Sequence, residues 1–395
     1  MSVLASNALR GALLVAALAL PAPAAAMGRV VGAHATQSAV DVALAQGPDG
    51  VTVTTALEVD ARGGPVAVLL PVEGLVAGSA AVAPSFAALD ALVGATDPRL
   101  GVLEAKEPCA NFEALYPADP SPVPLPRPAR VAPPGPWTLV TVDGDWAAFE
   151  AAHHVTVDAS TRAALKARAP GGQVLALVGR LPAGRGQWLG PVTWRQPSPP
   201  KTLPLTLGLD QVTPGRLLAA RVFTAHPEQE WAVVGAPAVD LPGGIHLPEV
   251  ALETPQDLAQ AAVQNALQRA GRGAVLRGFS GAGPEIPGAT PGAVVARYEL
   301  RLGSRDGDRQ VHLQPQIFKA RHEPRWTFRR VWREPISCPI APRYQRIVQI
   351  QQQSEVAAYI GLTGRPRQEI LRQSAERGYA QRPDGRLDRV KPKRR

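Results

Sequence analysis

Long apolar runs are scarce in this chain of 395 residues. The most prominent, GALLVAALAL at 11–20, is about half of the roughly 20 residues that cross a hydrocarbon core. No later segment is long and apolar enough to span a membrane, so the mature chain is expected to lack a transmembrane helix. Cysteine is nearly absent: there are two, and neither lies near residue 27. That excludes lipid attachment at a lipoprotein-type cleavage site. No arginine pair precedes the apolar run, which argues against twin-arginine export. Lysine is rare, at six of the 42 basic residues. Alongside abundant Ala, Gly and Pro, this follows from a GC-rich coding bias, so arginine richness carries little functional weight by itself. Aromatic residues are sparse, at 5%, and no internal repeat of fixed period is found.

The first 26 residues have the three-part layout of a secretory signal. Residues 1–10 carry one positive charge and no acid; the apolar run follows; PAPAAA at 21–26 then supplies small residues for a peptidase. Cleavage is expected after Ala26, with Ala24 as the alternative. The remaining length suits two or three domains. Gly and Pro together make up about a fifth of the chain, below the roughly 25–30% that suggests disorder. With 45% hydrophobic residues, a packed, turn-rich protein is expected.

The net charge is +9, but it is unevenly placed. Residues 361–395 hold 11 basic and 4 acidic residues, so the body is nearly neutral. The basic end could attract anionic lipid, polysaccharide or nucleic acid; a solvated tail without function is the alternative. In an oxidising compartment Cys109 and Cys338 have one pairing open to them. A bridge across so long a loop is worth about 5 kcal/mol by chain entropy. Two separate buried thiols are the alternative.

Strands are expected at 39–45, 51–59 and 66–72, with a turn at Asp60–Gly64 between the last two. A short helix over 85–93 has Ser85 as its cap and Phe86, Leu89 and Leu92 on one face. Residues 119–136 are rich in proline and read as a linker. Beyond it, 137–142 is a strand, 146–153 and 160–169 are helices, and 174–181, 203–209, 217–223 and 230–235 are strands. The clearest helix is 254–270, capped by Thr254 and Asp257 and ended by Gly271. Ala296, Tyr298, Leu300 and Leu302 alternate with Arg297, Glu299 and Arg301, and a turn at Asp306-Gly307 makes a hairpin with Val311 and Leu313. A helix at 366–377 precedes a basic, disordered end. The fold class expected is α+β and β-rich, with mostly antiparallel sheets in two lobes. These are an N-terminal β-rich lobe at 27–118 and an α+β lobe at 137–340. A C-terminal helical segment and basic tail fill 341–395.

Four stretches carry a family resemblance. VTVTTALEV at 51–59 leads to a strand ending LPV at 70–72, and FAALDAL at 86–92 leads to ATDPR at 95–99. Residues 137–181 have a strand, helix, helix, strand order, and LGP at 189–191 is followed by LPL at 203–205. In these the chain resembles the uncharacterised bacterial family named domain of unknown function 2330, over about residues 28–240, with 340 as the alternative limit. It departs where the family shows Trp-Leu and then Gly-Tyr, having Phe149 and His154 instead. The resemblance implies an exported β-rich fold and transfers no catalytic residue.

Candidate chemistry is thin. GFSGA at 278–282 nearly matches the nucleophile elbow of serine hydrolases, but that turn needs a strand before the serine and a helix after it. The last glycine is missing and prolines follow, so a loop is expected around Ser280. His153 and His154 point about 100° apart on a helix, which suits no shared metal ion. Asp143-Gly144-Asp145 and Asp306-Gly307-Asp308 lack the other ligands of a calcium loop and read as turns. On a strand, Trp326, Phe328, Arg330 and Trp332 share a face. Arginine over aromatics can hold anions, bases or sugars, although buried aromatics with snorkelling arginine stems produce the same string. No catalytic, cofactor or metal residue is assigned, and no cofactor is expected. The reading is an exported, non-enzymatic binding or structural module of the envelope, its partner an anionic envelope component or another envelope protein, with nucleic acid disfavoured. The alternatives are an extracytoplasmic hydrolase without a recognisable motif, and a polyanion binder acting through the basic C-terminal region.

Overall fold

The computed structural model describes residues 28–389 other than 73, 84, 111, 114, 128, 169–172, 198–201, 204–215, 235, 272, 284–285, 287, 304–310, 319, 377–378 and 382–386. The chain begins with β1 (Arg29–Gly32), β2 (Thr36–Gly47), β3 (Gly50–Val72) and β4 (Ala81–Val82), then α1 (Ala87–Ala95), β5 (Arg99–Glu104) and β6 (Ser121–Val123). Next come β7 (Thr138–Val142), α2 (Trp146–His153), α3 (Ala159–Arg168), β8 (Gln173–Gln196) and β9 (Thr202–Leu203). They are followed by β10 (Leu218–His226), β11 (Gln229–Val234), β12 (Ala238–Asp240), β13 (Ile245–Pro248) and α4 (Pro255–Ala270). The last third holds β14 (Val275–Ala282), β15 (Val294–Leu302), β16 (Val311–Ile317), β17 (Arg325–Arg330), α5 (Ala341–Thr363), α6 (Arg367–Glu376), β18 (Tyr379–Gln381) and β19 (Leu387–Arg389). The protein is α+β and β-rich, and most strand pairs are antiparallel.

The large sheet runs β12-β14-β15-β10-β2-β3-β8-β4, with β1 added on β3 and β7 on β8. Its spine is the ribbon of β3 and β8, paired from Val51↔Gln196 to Val72↔Gln173. The turn expected at Asp60–Gly64 is absent. Ala61 pairs with Gly184 and Gly64 with Leu181, so the ladder satisfies the backbone there and the strand continues. Bulges between Thr55 and Leu57 and between Val59 and Ala61 bend it. Gly63 and Gly64 take φ of 93° and 134°, values glycine adopts without steric penalty. The bend lets β2 pair with the first half of β3 and β1 with the second half. One face of this sheet is a valine- and leucine-rich core that includes Val40, Val53, Val68, Leu177, Trp194, Val222 and Leu300. Helices α2 and α3 cover another part through Phe149, Val157 and Leu165.

The proline-rich stretch 119–136 does not divide the strands. β3 lies before it and β8 after it, yet they share a sheet. A second sheet, β13-β17-β5-β6, likewise mixes early and late segments. Pro122 lies in β6, an edge strand, where a missing N–H is tolerated. Trp326 and Phe328 on β17 are fully buried against Leu247, Leu258, Leu267 and Tyr359. The expected hairpin of β15 and β16 is also overturned. β15 pairs with β10 and β14, whereas β16 pairs with β11 and β9 in a third sheet. Both flanks of β15 are occupied, so β16 has no free edge to join. The turn at 306–307 lies outside the described residues.

Several local readings hold. α2 starts at Trp146, with the Asp145 carboxylate accepting from Ala148 N at 3.0 Å. α4 begins on Pro255 and stops at Gly271 with φ 90°. Its expected cap does not form, because the Thr254 side chain makes no capping bond. Cys109 and Cys338 are bonded, with Cα atoms 5.9 Å apart. The bridge ties the segment after β5 to the approach to α5, beside a small cluster of Leu115, Tyr344 and Val348. Residues 1–27 and 390–395 lie outside the described residues, and with them the signal segment and the extreme basic end.

Candidate functional site

Alternation on β15 sets up the site. Ala296, Tyr298, Leu300 and Leu302 enter the core, so Arg297, Glu299 and Arg301 share the opposite face. Register places Arg221 of β10 beside Glu299 and beside Asp41 of β2. Ala219 lies opposite Arg301, and Phe223 opposite Arg297. A charged row therefore crosses three adjacent strands on the face away from the main core. That face is not open to solvent: Asp41 is 0% exposed, Arg297 6% and Glu299 8%.

The row is covered by α1, by the start of α4 and by a strap from the proline-rich stretch. Asp41 accepts a fork from Arg221, with Nε at 2.7 Å and Nη2 at 2.8 Å. Arg130 of the strap brings Nη2 within 2.5 Å of the same carboxylate. It also places Nε 3.2 Å from Asp90 on α1 and its guanidinium 4.2 Å from the centroid of the Trp188 ring. Charge-assisted forks of this kind are among the stronger hydrogen bonds. Asp97, just past α1, accepts from Arg297 at 2.6 Å and is paired with Arg127 of the strap. Arg297 also donates to Glu299. The Gln256 carboxamide on α4 donates to Pro126 O, holding the strap down.

Between strap, α4 and sheet lies a cavity of about 410 Å³. Arg127, Arg221, Arg297, Arg301, Glu58 and Trp188 are part of its lining. Around it, five guanidiniums (Arg127, Arg130, Arg221, Arg297, Arg301) face three buried carboxylates (Asp41, Asp97, Glu299). Three further acids sit at the edge, Asp90 and Glu58 partly exposed and Asp257 exposed, so six carboxylates stand among the five guanidiniums; Glu58 is engaged by the Ser38 hydroxyl at 3.0 Å. Burial, then repulsion from Arg297 and Arg221, holds Arg127 down to about 9. Burial likewise lowers Arg130, against the pull of Asp41. It also lowers Arg301, against the more distant Glu299. Arg301 makes no ion pair among the described residues, and neither Arg297 Nε nor Arg130 Nη1 has a hydrogen-bond partner there. The site has guanidinium N–H donors to spare, while the cationic and acidic side chains of its lining balance in number.

No protein-family model, curated protein or solved structure matches this chain. The reading of the site therefore stands on its own geometry.

The positions singled out in the sequence fall elsewhere. Ser280 is not on a loop but within β14, fully buried. Its hydroxyl donates to Glu230 Oε2 at 2.9 Å. Glu230 also accepts from Tyr298 at 2.8 Å and from Arg277 at 3.3 Å. This carboxylate is saturated, and Ser280 is out of reach of a substrate. Burial raises Tyr298, with Glu230 adding to the effect. The aromatic and arginine string does not form a ligand face. Trp326 and Phe328 are core, with Trp326 Nε1 donating to Pro242 O at 2.8 Å. Arg330 pairs instead with Glu104 at 2.8 Å and Glu249 at 3.3 Å. Trp332 packs near Tyr344, whose hydroxyl accepts from Trp332 N at 2.7 Å. His153 stacks on Phe149 at 4.9 Å, and His154 closes α2 with φ 54°. Asp306-Gly307-Asp308 lies outside the described residues. Among the described residues no group of three or more His, Cys, Asp or Glu is placed to hold a metal ion, and no helix is long and apolar enough to cross a membrane.

Asp41 and Arg221 were the missed signals. Each sits inside an otherwise apolar strand, SAVDVALA and LLAARVF, where an ionised side chain requires a buried partner. Arg127 and Arg130 left no such trace, because a proline-rich segment reads as solvated.

Proposed function

We propose that this chain is an exported, non-enzymatic binding module of the envelope, and that the arginine-lined cavity is its ligand site. One observation carries the reading: Arg301, mostly buried at the cavity wall, lacks an ion-pair partner among the described residues. An anionic group of a ligand supplies the acceptor that Arg301 lacks. The volume falls within the range of about 300–1,000 Å³ usual for small-molecule sites. The described lining offers no Ser, Cys, His or Lys; of its four acids Asp97 and Glu299 are committed to arginines, and Glu58 and Asp257 lie at its edge. That supports binding over hydrolysis. Export rests on the layout of residues 1–26 and agrees with the bonded cysteine pair. The resemblance to the family of unknown function points to the same compartment.

Thermal unfolding tests the site. Citrate or galacturonate at about 100 times its Kd adds about 2.7 kcal/mol of stability; glucose at the same concentration adds none. Arg301→Gln, which loses a hydrogen bond to a charged group, cuts the shift to about 1.4 kcal/mol or less. Equal shifts with glucose, or an unchanged shift in the variant, refute the reading. Export is tested by sequencing the N-terminus of the exported protein: an intact Met1 refutes it.

A further inference from the structure

We propose that the cavity takes an elongated zwitterion, a small molecule such as an unblocked tripeptide, whose carboxylate meets Arg301 and whose ammonium meets Glu58. The proposal rests on the reading of the cavity as the ligand site and names the class of ligand.

The floor of the cavity is one row across neighbouring strands. Register sets Arg301 of β15 opposite Ala219 of β10, and Ala219 beside Ala39 of β2. Ala39 stands opposite Glu58 of β3, and Glu58 opposite Trp188 of β8. All of them line the cavity. They share the face away from the main core, because their chain neighbours Leu300, Ala220, Val40, Leu57 and Leu189 enter it. The two alanines carry nothing beyond Cβ, so the row is hollow between a guanidinium and a carboxylate. With strands about 4.8 Å apart, three steps separate the Cα atoms of Arg301 and Glu58 by about 14 Å. The two side chains occupy part of that span. An extended tripeptide, at about 3.5 Å per residue, covers about 10 Å, a length that fits between them.

The adjacent charges are engaged already. Arg221 is forked to Asp41, Arg297 serves Asp97 and Glu299, and Arg127 is paired with Asp97. Arg301 makes no ion pair among the described residues. Glu58 accepts from the Ser38 hydroxyl at 3.0 Å and likewise meets no cation among them. Asp257 adds an exposed acid at the mouth. The cationic and acidic side chains of the lining balance in number. That balance opposes a dianion and suits a ligand of zero net charge, each end of which finds an opposite partner. Between the two ends Leu125 and Pro126 of the strap, and Ala259 and Val263 of α4, add apolar surface to that of the alanines. A neutral sugar would cover Arg301 and Glu58 without supplying a charge to either, which leaves both desolvated and unpaired.

Calorimetric titration of the full chain with trialanine, N-acetyl-trialanine, trialanine amide, ε-aminocaproate and galacturonate tests this. Trialanine is expected to bind at least about tenfold more tightly than either blocked form, because each block removes a hydrogen bond between charged groups. Glu58→Gln, which keeps an acceptor for the Ser38 hydroxyl, weakens trialanine by about tenfold and leaves N-acetyl-trialanine unchanged. Arg301→Gln weakens trialanine by about tenfold and leaves trialanine amide unchanged. A variant that merely misfolds weakens every ligand alike, so this coupling between variant and ligand separates the two cases. The affinity for trialanine also falls as pH rises past about 8, where an α-ammonium loses its proton. ε-Aminocaproate carries the same two charges without amides. Binding equal to that of trialanine supports the proposal with charge spacing as the determinant, and weaker binding supports it with a peptide as the ligand. N-acetyl-trialanine binding as tightly as trialanine, or galacturonate binding where trialanine fails, overturns the zwitterion and leaves the cavity as a site for an anionic group. Trialanine amide binding as tightly as trialanine overturns the role of Arg301 and the zwitterion with it. Failure of all five ligands to bind overturns the cavity reading itself.

Discussion

Replacing Asp41 by alanine removes the acceptor from two buried arginines at once. Asp41 is fully buried, takes both Nε and Nη2 of Arg221, and is contacted by Arg130 from the strap. Breaking a buried pair by deleting one partner costs about 3–5 kcal/mol, because the remaining charge is stranded. Arg130 keeps Asp90 at 3.2 Å, so the stranded charge is chiefly that of Arg221. With an unfolding entropy of about 2.1 cal/mol/K per residue, a chain of this length converts that loss into a Tm lower by about 4–6 °C. Urea unfolding followed by tryptophan fluorescence measures the loss directly, and Trp188 beside Arg130 reports on the strap. The double replacement Asp41→Ala with Arg221→Ala separates charge from packing. If the two act as a pair, the double variant loses less than the sum of the single losses, by about 0.5–3 kcal/mol. A loss below about 1 kcal/mol for Asp41→Ala, or strict additivity in the cycle, refutes the argument that the charged row is a closed, desolvated network.

Three further outcomes follow from other parts of the molecule. The cysteine bridge closes a loop across a separation of 229 residues, so Cys109→Ser with Cys338→Ser is expected to destabilise by about 5 kcal/mol from chain entropy; identical urea midpoints for the parent and the variant would contradict this. Burial pushes Glu355 up to about 8 despite Arg329. The folded state then keeps a proton that the unfolded chain releases near its ordinary value of 4.5, so this contribution is full below about pH 4.5 and is lost as pH rises through about 8. Glu355→Gln should match the parent at pH 5 and exceed its stability at pH 9, and parallel stability curves over that range would refute the assignment. Deleting 377–395 removes eight basic and two acidic residues and spares Ile370, which belongs to the core. Heparin elution should move to lower salt, and an unchanged elution position rules out the tail as a polyanion contact.

Much of the local structure was legible because it depends on near neighbours. α2 could be read from its Asp145 cap and short apolar face, and α4 from Pro255 at its start, Gly271 at its end and Leu258, Ala262, Val263 and Leu267 between them. The alternation on β15 was equally plain. Its meaning was not. Alternation alone does not say what faces Arg297 and Glu299, and a strap about 170 residues earlier in the chain covers them. The segment carrying that strap reads as a linker because proline signals an extended backbone, and an extended backbone can span a gap or lie across a sheet. The string Trp326 to Trp332 failed for the opposite reason. Aromatics alternate in the same way on a binding strand and on a core strand, and β17 became a core strand once β5 and β13 paired on either side of it.

The sequence by itself determined what short-range chemistry can settle: where many of the strands and helices lie, how their faces alternate, and that a bridge between the two cysteines has one pairing open to it. The tertiary structure alone decided which strands are neighbours, and therefore that Asp41, Arg221 and Arg301 lie on adjacent strands of one sheet. Strand pairing is governed by the backbone ladder, which every residue but proline can join, so sequence constrains partners weakly. The cavity exists because strands of the large sheet, a helix and a proline-rich strap converge there, and its unpartnered guanidinium donors face a common space only after they do.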